Sequence, residues 1–406
     1  MNMNVRIPQP DRCIACATCV AVCPVAQNCP DFPGPRMMGP ARQRFRLMGM
    51  GEDEASHYCA NCKNCDIACP GDVPVSAFIM RAKAEICKKN FPKLRDWILA
   101  HGEVLAHCLR FIPAVFKNFG MTFAPARLLL DAIGVARKAS LPNFAPQTFR
   151  ARLARLAQPN LSRAVVFFPG CFVDTYEPES GLDIVAVLNR AGYKVIVPGA
   201  TDDSGAFVCC GLPMVANGFW QDARDNARRN LKTLAAWAAK GMPILTACPS
   251  CALMIGKDYA EYFPALIAPG QSSSLVDVCD FLIGCVERGE LALPAAPQKV
   301  ETVFYHAPCH SRALGIGLPG LDLLREIPGI QAEYADSGCC GISGSYGFKK
   351  DKYPIAMRVG APLFEAMRQS GATLCASECG TCRVQMRHGG GKQTVHPVSV
   401  LRRYLG

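Results

Sequence analysis

Cysteine is the residue type with the most conspicuous chemistry: 24 cysteines occur among 406 residues, and most lie in closely spaced groups. A disulfide framework this rich in cysteine is typical of small secreted proteins, whereas C-x-x-C groups within a long chain indicate metal ligation. Two runs share one spacing, with intervals of two, two and three residues and a proline directly after the fourth cysteine. They are Cys13, Cys16, Cys19 and Cys23 before Pro24, and Cys59, Cys62, Cys65 and Cys69 before Pro70.

This spacing matches the run by which bacterial ferredoxins bind two [4Fe–4S] clusters, in which the fourth cysteine of each run serves the other cluster. A zinc ion takes four ligands and would not need such an exchange. We therefore expect two cubane [4Fe–4S] clusters, each with three ligands from one run and one from the other. The expected ligand sets are Cys13, Cys16, Cys19 and Cys69 for the first, and Cys59, Cys62, Cys65 and Cys23 for the second.

Ten further cysteines form two sets with one order: a single cysteine, then Cys-Cys-Gly, then a C-x-x-C pair. The glycine lets the backbone turn close to a bulky group. Adjacent cysteine side chains normally point apart, and five sulfurs exceed the tetrahedral demand of zinc, so each set favours a large multi-iron group. The sets are Cys171, Cys209, Cys210, Cys248 and Cys251, and Cys309, Cys339, Cys340, Cys379 and Cys382.

These ten cysteines follow apolar segments that are predicted to be the strands of a repeated α/β unit. An open parallel sheet binds ligands beyond the carboxyl ends of its strands, which is where the cysteine motifs fall. The expected strands are 164–168, 193–197 and 243–247 in the first copy, and 300–305, 330–334 and 372–375 in the second.

The chain is thus predicted to combine α+β and α/β architecture. An N-terminal α-helical, ferredoxin-like domain with two [4Fe–4S] clusters (1–90) precedes a basic amphipathic linker (91–160). Two tandem α/β domains follow, at 161–295 and 300–406, joined by a proline- and alanine-rich connection at 292–299.

The repeated cysteine pattern resembles the cysteine-rich CCG domain, which occurs twice in the B subunit of heterodisulfide reductase. Fusion of a two-cluster ferredoxin domain to two CCG domains is similar to the C subunits of anaerobic glycerol-3-phosphate dehydrogenases, and to the iron–sulfur subunits of glycolate and lactate oxidases. The stretches most similar to the C subunits are PGPRMMGP (33–40), CCGLPMVANGF (209–219), HAPCH (306–310), CCGISGSYGFKKDKYP (339–354) and VGAPLF (359–364).

The resemblance implies that five cysteines of a CCG domain hold a noncubane [4Fe–4S] cluster. One or two such clusters are expected, and the completeness of both copies favours two. It also implies an electron-transfer subunit of a respiratory dehydrogenase rather than a self-sufficient enzyme, with no catalytic residue of its own.

On this interpretation a flavoprotein partner oxidises a substrate, foremost sn-glycerol 3-phosphate, and membrane quinone receives the electrons. The chain has no Gly-rich dinucleotide fingerprint, so the flavin is expected on the partner. Two alternatives remain: the same carrier role for glycolate or lactate, and a catalytic role in cleaving a disulfide, as in heterodisulfide reductase.

Charge and hydropathy predict the location of the protein and the kind of surface that it contacts. The formal net charge is +11, and residues 91–160 hold ten Lys/Arg and three Asp/Glu, or 10 − 3 = +7. Apolar residues interleave with these charges, so the stretch is expected either to meet an anionic membrane surface or to contact a partner protein. Nucleic-acid binding is disfavoured, since no such motif accompanies the charge. With no signal peptide and no spanning segment, we expect a peripheral subunit on the cytoplasmic face of the inner membrane.

Several other side chains lie near the motifs in sequence. His306, His310, Tyr346, Lys349 and Lys350 flank the second CCG motif, where hydrogen bonds or positive charge would raise a cluster potential, although each is singly as compatible with an ordinary structural role. His57, two residues before Cys59, is expected either to be structural or to contact a cluster ligand. Six cysteines fit no motif and are expected to be buried small hydrophobes: Cys29, Cys87, Cys108, Cys279, Cys285 and Cys375.

Overall fold

The N-terminal part of the protein is helical in the structure, a computed structural model that describes residues 10–90, 92–203, 205–267, 275–297 and 299–405. Each cysteine run is mostly loop and includes one short helix. The last helix is long, and Phe78, Ile79 and Met80 on it are fully buried, so it forms the support of this part. The helices are α1 (Thr18–Ala21), α2 (Arg42–Leu47), α3 (Asn64–Ile67) and α4 (Val75–Lys89), with 3-10 turns at Pro10–Arg12 and Glu54–Tyr58 and a π-helical turn at Met37–Ala41.

The basic segment is a layer of short helices. It is fastened to the C-terminal part of the chain by ion pairs of Lys349 with Asp96 (2.9 Å) and of Lys350 with Asp131 (2.5 Å), and by a β-bridge between Val135 and Lys349. Its helices are α5 (Leu94–Ala100), α6 (Gly102–Cys108), α7 (Ala114–Thr122), α8 (Ala124–Ala132) and α9 (Phe149–Leu153).

The predicted repeat is present as two parallel four-stranded sheets with the same topology, β2-β1-β3-β4 and β6-β5-β7-β8. The central strands are apolar and buried on both faces, as parallel sheets require. The strands are β1 (Arg163–Phe168), β2 (Tyr193–Ile196), β3 (Ile244–Thr246), β4 (Val276–Asp277), β5 (Glu301–Tyr305), β6 (Ile330–Tyr334), β7 (Leu374–Ala376) and β8 (Gln393–Val395).

All six predicted strands occur, with β7 beginning two residues later than expected, but the edge strands β4 and β8 were not predicted. In both sheets the chain reverses its direction of winding between the first and third strands of the copy. The carboxyl ends at that switch point form the crevice in which open α/β sheets bind ligands.

Helices cover both sheets in an equivalent order. In the first copy they are α10 (Gly170–Thr175), α11 (Pro178–Arg190), α12 (Leu212–Ala216), α13 (Trp220–Ala238), α14 (Pro249–Leu253), α15 (Tyr259–Tyr262) and α16 (Val278–Glu287). In the second they are α17 (Cys309–Leu314), α18 (Pro319–Glu326), α19 (Tyr353–Gln369), α20 (Gly380–Gly390) and α21 (Pro397–Leu405). A π-helical turn at Met254–Asp258 and 3-10 turns at Pro264–Leu266 and Tyr346–Phe348 complete the described elements.

The two copies pack against each other through reciprocal contacts. Helix α11 of the first copy contacts α21 of the second, and the equivalent helix α18 of the second contacts α16 of the first. Likewise α14 meets α17, and α10 meets α20. Buried residues of both sheets, including Val165, Phe167, Val303 and Tyr305, belong to one hydrophobic core. The two copies are therefore halves of one body with approximate two-fold symmetry.

A second core joins the N-terminal part to both copies, since Phe78 and Met80 belong to the same cluster as Phe168 and Phe207 of the first copy and Tyr346 of the second. Among the described residues, no helix is both long enough and apolar enough to cross a membrane.

Candidate iron–sulfur sites

The first group of N-terminal thiols combines both runs. Cys13, Cys16, Cys19 and Cys69 line one small cavity, and the Cys19 thiol interacts electrostatically with the other three. The Val73 amide donates a hydrogen bond to Cys69 Sγ at 3.4 Å. Such amide-to-sulfur bonds are among the means by which proteins tune cluster potentials.

The second group has the same composition with the runs exchanged. Cys65 interacts with Cys59, Cys62 and Cys23, so the fourth cysteine of the first run lies with three of the second. Burial raises the pKa of Cys23 to about 11 and also raises the pKa of Cys59 and Cys62. Since a metal must displace these protons, cluster binding here is expected to be coupled to proton release.

The backbone between these cysteines adopts a conformation that costs energy. Ala15, Ala17, Asn61 and Lys63 have φ between 53° and 66°, the left-handed region that non-glycine residues rarely enter. They occupy equivalent positions, between successive cysteines of each run. Strain of about 1–2 kcal/mol per residue, repeated at matched sites, indicates loops shaped around a ligand.

The five thiols of each CCG set form one connected group with the same order of contacts. In the first copy Cys209 lies 3.8 Å from Cys171 and also contacts Cys210, which contacts Cys251, which contacts Cys248. In the second copy the equivalent series is Cys309, Cys339, Cys340, Cys382 and Cys379, with Cys340 Sγ 3.3 Å from Cys382 Sγ.

Mutual hydrogen bonding makes some of these thiols acidic despite burial. Hydrogen bonding with Cys382 lowers the pKa of Cys379 to about 5, and hydrogen bonding with Cys339 and Cys382 lowers that of Cys340 to about 6. In the first copy, hydrogen bonding with Cys251 lowers the pKa of Cys248, the counterpart of Cys379, and hydrogen bonding with Cys171 lowers that of Cys209. Thiolates are the metal-binding form of cysteine, so both groups are suited to ligation.

The four groups adjoin one another. Cys23 of the second group interacts with Cys19 of the first, and Cys62 interacts with Cys309 and Cys339 of the second copy. Cys379 of that copy interacts with Cys248 of the first copy. The thiol groups therefore form a series from the N-terminal domain through the second copy to the first.

His310 lies at the junction of three cysteine motifs. It follows Cys309; its Nδ1 lies 2.8 Å from Ser250 Oγ, between Cys248 and Cys251, and its Nε2 lies 3.0 Å from the Asn61 carbonyl, between Cys59 and Cys62. Burial lowers its pKa, so the ring is held neutral. His310 thereby fixes the positions of three loops that carry thiols.

The other residues that the sequence analysis named beside the cysteine motifs lie either near thiols or in ion pairs. His306 is buried. One of its ring nitrogens and the Sγ atoms of Cys340 and Cys382 all lie within 4.8 Å of one another. Its Nε2 and the Tyr346 hydroxyl have no hydrogen-bond partner within the described ranges. Lys349 and Lys350 instead bind carboxylates of the basic segment and hold it in place, and His57, whose pKa burial lowers to about 4, lies 3.3 Å from Glu54.

Of the six cysteines outside the motifs, Cys29, Cys279, Cys285 and Cys375 are buried, as expected. Cys87 is only partly buried, and the expectation is wrong for Cys108, which is exposed. Cys108 ends α6, a helix with no buried residue, so its position in a helical layer and not its residue type decides its exposure.

Glu103 of α6 is a site residue that the sequence did not reveal. Its carboxylate accepts a hydrogen bond from the Cys209 amide at 2.7 Å, and burial together with the nearby Cys209 raises its pKa to about 7. The partners lie 106 positions apart, and no local pattern connects them. The helical layer thus reaches the thiols of the first copy.

The donor sets fit iron–sulfur clusters. Each N-terminal group gathers four thiols around one point within strained loops, and each CCG group gathers five thiols, more than a single tetrahedral ion can use. The residues present therefore match the group that the sequence predicts.

Comparison with protein families gives two matching descriptions. Residues 9–73 match the 4Fe-4S dicluster domain, and residues 165–256 and 303–387 match the cysteine-rich CCG domain twice. The chain therefore carries [4Fe–4S] clusters in a helical N-terminal domain followed by two CCG regions.

Similar proteins cover almost the whole chain. The C subunit of the anaerobic glycerol-3-phosphate dehydrogenase of Escherichia coli (strain K12) is 36% identical over 97% of this chain and 98% of that protein. The B subunit of the CoM/CoB fumarate reductase of Methanothermobacter marburgensis is 26% identical over 96% of this chain and 70% of its own length. Lactate utilization protein A 2 of Bacillus cereus (strain Q1) is 28% identical over 46% of this chain and 74% of that protein.

A solved structure, that of a hypothetical protein from Helicobacter pylori, superimposes with a TM-score of 0.52 over 96% of this chain and 71% of the other, at 11% identity. At that identity the likeness concerns the fold alone.

Proposed function

We propose that this chain, which belongs to the family of anaerobic glycerol-3-phosphate dehydrogenase C subunits, is the electron-transfer subunit of such a dehydrogenase. A flavoprotein partner oxidises sn-glycerol 3-phosphate to dihydroxyacetone phosphate, and this chain carries the electrons to membrane quinone. The observation that carries the proposal is the adjoining series of four thiol groups, in a chain that matches one of the C subunits over almost its full length.

Cluster ligation is assigned as follows. Cys13, Cys16, Cys19 and Cys69 hold one cubane cluster, and Cys59, Cys62, Cys65 and Cys23 hold the other. Each CCG set holds one further cluster, giving four in all. The exchange of Cys23 and Cys69 between runs is supported by the neighbours that each thiol has in the fold.

Bound [4Fe–4S] clusters supply one-electron transfer, which is the chemistry that a carrier needs. The protein's own residues position, insulate and tune these groups. Backbone amides of Asn61 and Gly341 donate to the sulfurs of Cys59 and Cys339 at 3.4 and 3.3 Å, and His310 ties three motifs together. Lys63, buried and paired with Asp258 at 3.0 Å, joins the second cysteine run to the first CCG copy.

Glycerol 3-phosphate is a better supported substrate of the complex than glycolate or lactate, because the lactate utilization relative matches only 46% of the chain. Cleavage of a disulfide is the alternative of a different class. A cavity of about 120 Å³ between the copies is lined by Cys210, Cys248 and Cys379, so it would present thiols of both copies to such a substrate.

The proposed location is the cytoplasmic face of the inner membrane, as a peripheral protein held by its partners and by the basic segment. Exposed apolar residues on that segment and its +7 charge support contact with an anionic lipid surface.

The test is anaerobic purification of the chain alone and together with its flavoprotein partner. We expect glycerol 3-phosphate to bleach the visible absorption of this chain only when the flavoprotein is present, and lactate or glycolate to have no effect. Oxidation of glycerol 3-phosphate by the isolated chain with a dye acceptor would contradict the carrier role, and bleaching by lactate would reassign the substrate. Spectral change on adding a disulfide would favour the catalytic alternative.

A further inference from the structure

An apolar cavity beside a thiol group lies between the helical layer and the two CCG copies. Its volume is about 310 Å³, and helices α5 to α8 form one side of it. Most of the lining is apolar, including Leu99, Leu105, Met121 and Leu130. A predominantly apolar cavity with a few polar groups is the usual form of a small-molecule site.

The opposite wall includes thiols of the first copy. Cys171 and Cys209 both line this cavity. In the series of thiol groups the first copy is the member farthest from the N-terminal domain, since it adjoins the second copy through Cys248 and Cys379. A molecule in the cavity therefore lies at one end of the series.

Two polar side chains of the cavity are available to a ligand. No other group in the described ranges hydrogen-bonds to the Tyr176 hydroxyl, which lines the cavity together with Cys171 and Cys209. Lys117 Nζ lies 4.9 Å from the centre of the Phe144 ring, and no carboxylate of the described part of the chain lies within ion-pair distance of it. Both groups donate hydrogen bonds, so they suit a ligand whose polar atoms are acceptors.

The outer face of the same layer is apolar and basic. Helix α7 lines the cavity with Lys117 and Met121, whereas its Val115, Phe116 and Phe119 are 76%, 68% and 60% exposed. Phe111 and Leu129 nearby are 81% and 69% exposed, and Arg110, Arg137 and Lys138 are exposed as well. An apolar patch of this kind beside positive charge is complementary to the surface of an anionic bilayer.

We propose that this cavity is the site at which a lipid-soluble quinone is reduced, with the α7–α8 surface resting on the membrane from which the quinone enters. The proposal rests on the proposed function and specifies its acceptor site. The ring and chain of a quinone are apolar and its two carbonyl oxygens are acceptors, so the Tyr176 hydroxyl and the Lys117 ammonium are the groups that bind them.

The redox balance needs no further reactant. Oxidation of the substrate alcohol to a ketone on the partner releases two electrons and two protons. One quinone takes up two electrons from the chain and two protons from water, and two O–H bonds form to give the quinol.

Two leucines of the basic segment offer a matched pair of variants. Leu130 lines the cavity, whereas Leu156, which follows α9 and lies outside the α7–α8 surface, is exposed, so Leu130→Trp should obstruct the site and Leu156→Trp should not. Tyr176→Phe removes only the hydroxyl, so it tests the site even if Leu130→Trp does not fold. Each variant is purified as the holoprotein with its partner, and its iron content is measured.

The probe is decylubiquinone, with ferricyanide as a water-soluble acceptor that needs no cavity. We expect Leu130→Trp and Tyr176→Phe to raise the KM for decylubiquinone roughly tenfold and to weaken its effect on the electron paramagnetic resonance spectrum. Ferricyanide reduction and iron content should stay unchanged, and Leu156→Trp should match the wild type.

The outcomes separate the site from the function. If the wild type reduces decylubiquinone and both cavity variants keep its KM and spectral effect, the site is wrong and the carrier role stands. If the wild-type complex reduces ferricyanide but not decylubiquinone, the quinone acceptor is wrong and the site is overturned with it. If neither acceptor is reduced with glycerol 3-phosphate, the proposed function itself fails.

Discussion

His310 shows how single side chains can connect parts of the sequence that no motif relates. Its partners Asn61 and Ser250 lie 249 and 60 positions away, yet each sits inside a cysteine motif. The motif HAPCH identified the residue as near a site, but its two hydrogen bonds depend on how three domains pack. Sequence spacing predicts groups that form locally, and these bonds are not local.

We predict that His310→Ala slows the passage of electrons from the flavoprotein to quinone and lowers the thermal denaturation midpoint, with no loss of iron. The substitution leaves the buried Asn61 carbonyl without its partner, which costs about 1–3 kcal/mol. His388→Ala is the control, since that ring bonds to Tyr353 and, among the described contacts, to no residue of a cysteine motif. Equal transfer rates and midpoints for the wild type and His310→Ala would show that the junction has no role.

The exchange of fourth ligands gives a second prediction at this scale. Cys69→Ser should alter the same paramagnetic signal as Cys16→Ser, and Cys23→Ser the same signal as Cys62→Ser, because each fourth ligand belongs to the other run's cluster. Cys29→Ser, a buried cysteine outside the motifs, should alter neither. The exchange is wrong if Cys69→Ser shares its signal with Cys62→Ser.

At the scale of elements, periodicity and cysteine position together predicted six strands. The edge strands β4 and β8 have two and three residues, too few to show an alternating pattern, and only pairing with β3 and β7 defines them. The basic segment was predicted to be a linker because charge and hydropathy alone describe it. Its role as a layer over the thiols of the first copy depends on Lys349, Lys350 and Glu103, whose partners are distant in sequence.

The exposed face of α7 and α8 leads to a prediction about membrane binding. Phe116→Asn with Phe119→Asn should reduce co-sedimentation with anionic vesicles at any salt concentration, whereas Arg137→Glu with Lys138→Glu should remove only the salt-sensitive part. Each basic residue near an anionic surface contributes on the order of 1 kcal/mol, which salt screens. Arg150 and Arg152 are unsuitable for this test, since they pair with Asp174 and Glu179 within the chain.

The matched control is Lys194→Glu, an exposed charge on β2 that lies outside the basic segment and should leave binding unchanged. A wild-type chain that stays wholly in the supernatant, with its partner absent, would assign membrane contact to another protein of the complex.

For the whole molecule, the connected thiol groups predict the iron content. Four clusters require about sixteen irons per anaerobically purified chain. Cys210→Ser and Cys340→Ser should each remove about four, because both copies present the same series of five thiols, while Cys279→Ser should remove none. About eight irons in the wild type would show that neither CCG copy binds a cluster, and stoichiometric zinc would reject the cluster assignment.

The reciprocal packing of the two CCG copies has a consequence for their origin. A single copy already carries both faces of the interface, so two identical copies could bury the same faces as a symmetric homodimer. Duplication and fusion keep that interface but allow the sequences of the two copies to differ. Here the thiols of one copy interact with the second ferredoxin-like group, and thiols of the other line the apolar cavity. Fusion thus allows one half to be specialised for receiving electrons and the other for passing them on, whereas the two halves of an exact dimer must be alike.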